Sequence, residues 1–214
     1  MADIFQEIDE DVRRERLQKL WKRYANYIIG AALAIVLAVV AGVGWRQYRE
    51  RQNIAEAQQF LDAMDMAGRG DAQGARIAFA ALADHSGTGY ATLARLQEAG
   101  LAAKGGDVPA TVKIYEQIAA DTRVDATFRD LASMLIVQHT IDTGDPAQLN
   151  QRLAPLMAEG NSWHYSATEL AALLARRTGD SAKAKELYTK LADDLQAPRD
   201  MRARATEMLA IIGG

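Results

Sequence analysis

The 22 residues from Tyr24 to Trp45 contain no charged side chain, and no other stretch of the chain resembles them. Wound as a helix, Ala25 to Trp45 is about 31 Å long at roughly 1.5 Å per residue, matching a bilayer hydrocarbon core of about 30 Å. Nine of these residues are Leu, Ile or Val, and each favours the bilayer by about 0.3–0.6 kcal/mol. Tyr24 and Tyr27 at one end, and Trp45 and Tyr48 at the other, stand where aromatic belts form. A buried helix in a soluble domain rarely runs so long without a charge. A cleaved signal peptide has an apolar region of about 7–15 residues behind a short basic leader. Here 23 residues precede the run, six of them acidic, and Arg46, Arg49 and Arg51 follow at once. The run is therefore expected to be one uncleaved transmembrane helix over residues 24–45.

Basic residues set its direction. Arg13, Arg14, Arg16, Lys19, Lys22 and Arg23 precede the run, against Arg46, Arg49 and Arg51 behind it. The excess predicts a cytoplasmic tail over residues 1–23 and translocation of residues 46–214, into the periplasm if the cell is a bacterium. Residues 54–214 carry 21 acidic and 16 basic side chains, a balance that disfavours nucleic acid as a partner. The chain has no cysteine, so neither a disulfide framework nor thiol chemistry is expected.

The translocated part repeats itself. Gly-Asp recurs at Gly70-Asp71, Gly106-Asp107, Gly144-Asp145 and Gly179-Asp180, at intervals of 36, 38 and 35 residues. An Ala/Leu-rich helical pattern precedes each pair and another follows it. In the last, Ala184, Leu187, Tyr188, Leu191, Ala192 and Leu195 share one face at helical spacing. Ala75, Phe79 and Leu82 do so after the first turn, Val108, Val112, Tyr115 and Ile118 after the second, and Leu149, Leu153 and Leu156 after the third. Glycine supplies the left-handed residue that ends a helix, and aspartate caps the next one.

Helical hairpins of about 34 residues carry the tetratricopeptide pattern. Phe79, Tyr115, Leu153 and Tyr188 keep the same phase, nine residues after each glycine, and Ala63, Ala99, Val137 and Ala172 recur seven before it. Met201, Ala205, Met208, Leu209 and Ile212 mark a last amphipathic helix that closes the stack, as such arrays require. No Gly or Pro lies between Arg46 and Met66, so the spanning helix is expected to continue as the first repeat helix. The expected fold is all-α: one N-terminal transmembrane helix, then a tetratricopeptide-like α-solenoid of about four hairpins and a capping helix.

The chain resembles the YfgM-like family of single-span, tetratricopeptide-related proteins along essentially its whole length. The likeness rests on Asp3-Ile-Phe-Gln-Glu before a charged tail and on Gly44-Trp45-Arg46 closing the span. It rests further on Gly89-Tyr90-Ala-Thr-Leu-Ala-Arg-Leu, on Glu159-Gly160 before Trp163, and on Gly179-Asp180-Ser-Ala-Lys-Ala. The resemblance implies a bacterial inner-membrane protein, an ancillary subunit of a SecYEG-type translocon. Its periplasmic domain would meet a PpiD-type chaperone and unfolded clients leaving the channel. Some relatives are also implicated in stress responses. Two other roles suit the same architecture: a regulator whose cytoplasmic tail holds a response regulator, and an assembly factor for an envelope complex.

Three surfaces are candidates for binding. In the span, Gly30, Ala34, Ala38 and Gly42 lie four apart on one face, a spacing that lets helices pack closely in lipid or reflects only how common small residues are there. In the tail, Ile4, Phe5, Ile8 and Val12, then Leu17, Leu20, Trp21 and Tyr24, form apolar patches among charges. These suit the anionic inner leaflet, a cytosolic partner, or a tail that only sets topology. In the repeats, the first helices should line a concave groove with Phe60 and Met64, Leu93 and Leu96, Met134 and Gln138, then Leu173 and Arg176. Methionine adapts to varied apolar segments, while ordinary packing between helices is the competing reading. Trp163 is expected to staple its helix to the preceding hairpin, with a partner anchor as the alternative.

Signals for catalysis are missing. His85, His139 and His164 lie far apart and fit no zinc motif, and neither a nucleophile elbow nor a phosphate loop occurs. Arg69-Gly70-Asp71 falls at a hairpin turn of the repeat frame. The expectation is a non-enzymatic protein without metal, cofactor or small-molecule substrate.

Overall fold

The structure, a computed structural model, describes the backbone of residues 2–87 and 89–213 and the side chains of residues 21–24, 27, 30, 33–87 and 89–213. Every regular element in it is helical: α1 (Ala2–Gly68), α2 (Ala72–His85), α3 (Gly89–Lys104), α4 (Val108–Ala120), α5 (Ala126–Thr140), α6 (Pro146–Leu153), a 3-10 turn (Ala154–Met157), α7 (His164–Arg177), α8 (Ser181–Asp193) and α9 (Arg199–Gly213). The chain forms two units, Met1–Ala55 and Glu56–Gly214.

In the first unit the uncharged run is helical, and its described side chains are exposed. Leu33, Ile35, Val36, Leu37, Val39, Val40, Val43 and Trp45 all lie more than half exposed. The Arg23 guanidinium sits 5.9 Å from the Tyr24 ring, and that of Arg49 sits 5.3 Å from Trp45. Among the described residues no helix is long and apolar enough to cross a membrane. Side chains 25, 26, 28, 29, 31 and 32, Ile28 and Ile29 among them, lie outside the described residues. So do those of Ile4, Phe5, Ile8, Val12, Leu17 and Leu20 in the tail.

The second unit is built by its turns. Gly70, Gly106 and Gly179 take φ of +89°, +77° and +81°, a region that costs other residues about 1–2 kcal/mol. At each, two crossed backbone bonds close the helix: Gly70 N–H to Ala67 O and Asp71 N–H to Met66 O at the first, with equivalent pairs at Gly106-Asp107 and Gly179-Asp180. The same aspartate then opens the next helix. Asp71, Asp107 and Asp180 accept from the amides of Gly74, Ala110 and Lys183 at 2.8, 3.1 and 2.9 Å. One dipeptide thus stops one helix and starts another.

The third turn departs from the expected left-handed glycine. Gly144 is not at positive φ; the left-handed residue of this repeat is Gly160, at +86°, just ahead of α7. Gly144 serves through its small size. Its amide bonds Thr140 O at 2.7 Å, and a Cβ there would lie 2.9 Å from that oxygen and 3.2 Å from a Leu149 methyl. Asp145 still caps α6, accepting from Ala147 N–H at 3.3 Å. The helix stops at Leu153, and Pro155 lies in the 3-10 turn that follows.

Packing follows the repeat phase. Phe79, Tyr115, Leu153 and Tyr188 are buried, and Ala63, Ala99, Val137 and Ala172 are fully so. Each large residue shares a core cluster with the residue seven before its glycine. Burying one such large side chain contributes about 1.5–3 kcal/mol. Two positions expected on apolar faces are not in the core. Leu195 lies past the end of α8 and is 84% exposed, and Val108, in the first turn of α4, is 38% exposed.

First helices of successive hairpins touch: α3 meets α5, α5 meets α7, and α7 meets α9. The capping helix therefore takes the place of a first helix in a further hairpin. Polar links one repeat apart join neighbours. Arg152 pairs with Glu116, and Trp163 Nε1–H donates to Thr127 O at 2.9 Å. Arg177 donates to the carbonyls of Ile141 and Gly144, where α5 ends.

Candidate functional site

Because α5, α7 and α9 stand side by side, the same face of each opens onto one cleft of about 570 Å³. Met134 and Gln138 come from α5, Leu170, Leu173 and Arg176 from α7, Tyr188 from α8, and Met201, Arg204 and Met208 from α9. Register explains the meeting: Met201, Arg204 and Met208 fall 35 residues after Ser166, Glu169 and Leu173, which line the same cleft.

The cleft is apolar in its interior and charged at its edges. Met134 is buried, Leu173 half-buried, and Gln138 and Arg176 exposed. Glu169 and Arg204 form a two-point pair at 2.8 and 2.9 Å. The Arg176 guanidinium approaches Met208 Sδ at 3.8 Å. Burial raises the Tyr188 phenol above its ordinary pKa, with Arg176 opposing and Glu169 adding to the shift, so Tyr188 is neutral at physiological pH. Three methionines give the walls soft, unbranched side chains that can re-pack around differing apolar groups.

Of the eight groove residues expected from sequence, the structure gathers Met134, Gln138, Leu173 and Arg176 here. The other four lie elsewhere. Phe60 packs into the core of the first hairpin, its ring 5.4 Å from Phe79 and 5.8 Å from Tyr90. Leu96 packs against the core around Ile114 and Ile118. Met64 and Leu93 are 40% and 37% exposed. In the first unit Gly30, Ala34, Ala38 and Gly42 are exposed. Sequence reasoning missed the α9 wall, whose Met201 and Met208 it assigned to a cap. Their spacing of 35 from α7 was the available signal.

Trp163 is the staple: its indole N–H is spent on Thr127 O, and it packs against the core around Leu153 and Leu174. Gly70 of Arg69-Gly70-Asp71 is the left-handed residue of a hairpin turn. The histidines serve locally, His85 and His164 bonding the carbonyls of Ala81 and Met157, and His139 stacking on Tyr115 at 6.0 Å. Among the described residues no group of three His, Cys, Asp or Glu side chains could hold a metal ion.

The family model for the tetratricopeptide repeat-like domain matches residues 18–208. The chain belongs to this family. No curated protein and no solved structure matches the chain. A tetratricopeptide repeat-like domain is a scaffold for protein–protein interaction, and stacked hairpins serve it by presenting an extended surface. The matched region begins before the uncharged run, so the run and the hairpins fall within one family extent.

Proposed function

We propose that this tetratricopeptide repeat-like protein is a non-enzymatic scaffold anchored in a bacterial inner membrane, holding protein partners in its methionine-lined cleft. One observation carries the anchor: eight large apolar side chains from Leu33 to Trp45 stand exposed, with an arginine over an aromatic ring at either end. Tyr24 and Trp45 are separated by about 31 Å of helix, so both rings would lie at headgroup depth. Exposed apolar surface on this scale needs a cover, and hydrocarbon fits its length. With the basic tail held inside, the N-terminus is cytoplasmic and residues 46–214 are periplasmic.

The resemblance to the YfgM-like family points to the physiological setting, an ancillary role beside a SecYEG-type translocon. There the cleft would engage a PpiD-type chaperone or unfolded clients. An apolar, adaptable cleft suits emerging chains, whose common feature is exposed hydrophobic side chains.

Photo-crosslinking in native membranes tests this, with the probe placed in turn at Ala34, Gln138 and Leu173. Translocon adducts from Ala34, with chaperone or nascent-chain adducts from Gln138 and Leu173, are the expected result. Adducts with only an unrelated envelope complex would overturn the translocon assignment. A response regulator lost on deleting residues 1–20 would favour the regulatory role instead.

A further inference from the structure

The methionine-lined cleft carries a charge that the fold leaves unused. Arg177, next in sequence, is turned toward the preceding hairpin, where it donates to the carbonyls of Ile141 and Gly144. Arg204 is held by Glu169 at two points. Arg176 lines the same cleft, is exposed, and has no carboxylate within ion-pair distance among the described residues. Its one side-chain hydrogen-bond contact among the described residues is the Met208 sulfur, at 3.8 Å, and a thioether is a weak acceptor that neutralises nothing. From α9, Glu207 lines the cleft and likewise has no ion pair among the described residues.

Resting on the scaffold reading, we infer that the cleft selects a peptide segment in which an apolar residue is flanked on one side by an acidic one. The apolar side chain sits among Met134, Leu173 and Met208, and the carboxylate pairs with Arg176. Charge complementarity carries the assignment. A guanidinium presents a planar fork that meets a carboxylate at two points, and no carboxylate among the described residues lies within ion-pair distance of this one. Glu207 repels a segment that is acidic on both flanks, so the acidic charge is one-sided. A lysine at the Arg176 end is disfavoured by like charge and leaves the guanidinium unpaired.

Fluorescence anisotropy with the full-length chain in lipid nanodiscs tests the inference. The probes are short labelled peptides with one Leu-Met core, flanked on one side by Glu, Gln or Lys. The Glu peptide should bind about three- to fivefold more tightly than the Lys peptide at low salt, the scale of an exposed ion pair. The difference should shrink as salt screens it. Arg176→Gln should remove the preference and Arg176→Glu should reverse it, with circular dichroism showing the helices intact. Equal affinities in the unaltered chain, or an unchanged preference in Arg176→Glu, would overturn the charge selection while the core still binds, leaving the scaffold standing. Binding of none of the peptides would overturn both.

Discussion

Glu169 and Arg204, 35 residues apart, join α7 to α9 through two parallel hydrogen bonds of 2.8 and 2.9 Å at the edge of the methionine-lined cleft. The pair is partly exposed, so its contribution to stability is small, at most about 1 kcal/mol. It also ties α9, the cleft's far wall, to α7. Glu169→Gln should therefore lower urea stability by less than about 1 kcal/mol and yet weaken peptide binding. The exchanged pair, Glu169→Arg with Arg204→Glu, should restore both. Equal loss in the single and exchanged variants would contradict a positional role.

The turn glycines separate two physical demands. Gly106→Ala and Gly179→Ala force a side chain into left-handed backbone, costing about 1–2 kcal/mol each in denaturant unfolding. Gly144→Ala meets no such demand, but its Cβ would lie 2.9 Å from Thr140 O, and overpacking of that kind costs about 1–3 kcal/mol. d-Alanine introduced by semisynthesis distinguishes them. It should rescue position 179 and fail at position 144.

The caps add a third measurable term. Asp180→Ala removes the acceptor for Lys183 N–H and should destabilise the domain by about 1 kcal/mol, whereas Asp180→Asn or Asp180→Ser should retain most of it. Full stability of the alanine variant in urea would show that the cap contributes nothing.

Asp121 gives the pH signature of the loop after α4. Hydrogen bonds from the Arg123 side chain and backbone, with the charge of Arg123, hold its carboxyl at about 2, below the ordinary 3.8. A depressed acid contributes stability above its unfolded value, and that contribution fades as pH falls from about 4 through 2. NMR should show this carboxyl titrating near 2 in the intact chain and moving up toward 3.8 in Arg123→Gln. A titration near 3.8 in both would exclude the Arg123 contact in solution.

Much of this molecule was legible in the sequence because its turns are local. Gly-Asp at a period near 35 located each hairpin, and the residues nine after and seven before each glycine are all buried. The capping function of all four aspartates followed from residue chemistry alone. What escaped needed three-dimensional register. Gly144 reads like the other turn glycines, yet it is selected by the approach of Thr140 O and Leu149, separated from it by four and five residues. Leu195 continues the apolar period of α8, but the helix ends at Asp193 and turns it outward. Phe60 shares helix type and phase with the groove residues, yet the first hairpin seats it between Phe79 and Tyr90. The cleft itself depends on α9 occupying a first-helix place, which the 35-residue spacing from α7 carries and the local apolar period of α9 does not.

The most direct test of the scaffold follows methionine methyl groups by NMR in the full-length chain as an unfolded client is added. The chain has seven methionines, of which Met134, Met201 and Met208 line the cleft while Met64, Met66 and Met157 lie outside it. Client binding should shift the three cleft methyls together and leave the other three in place, and Leu173→Asp should abolish the shifts. Shifts confined to Met64, Met66 and Met157, or none at saturating client, would contradict a binding role for this cleft.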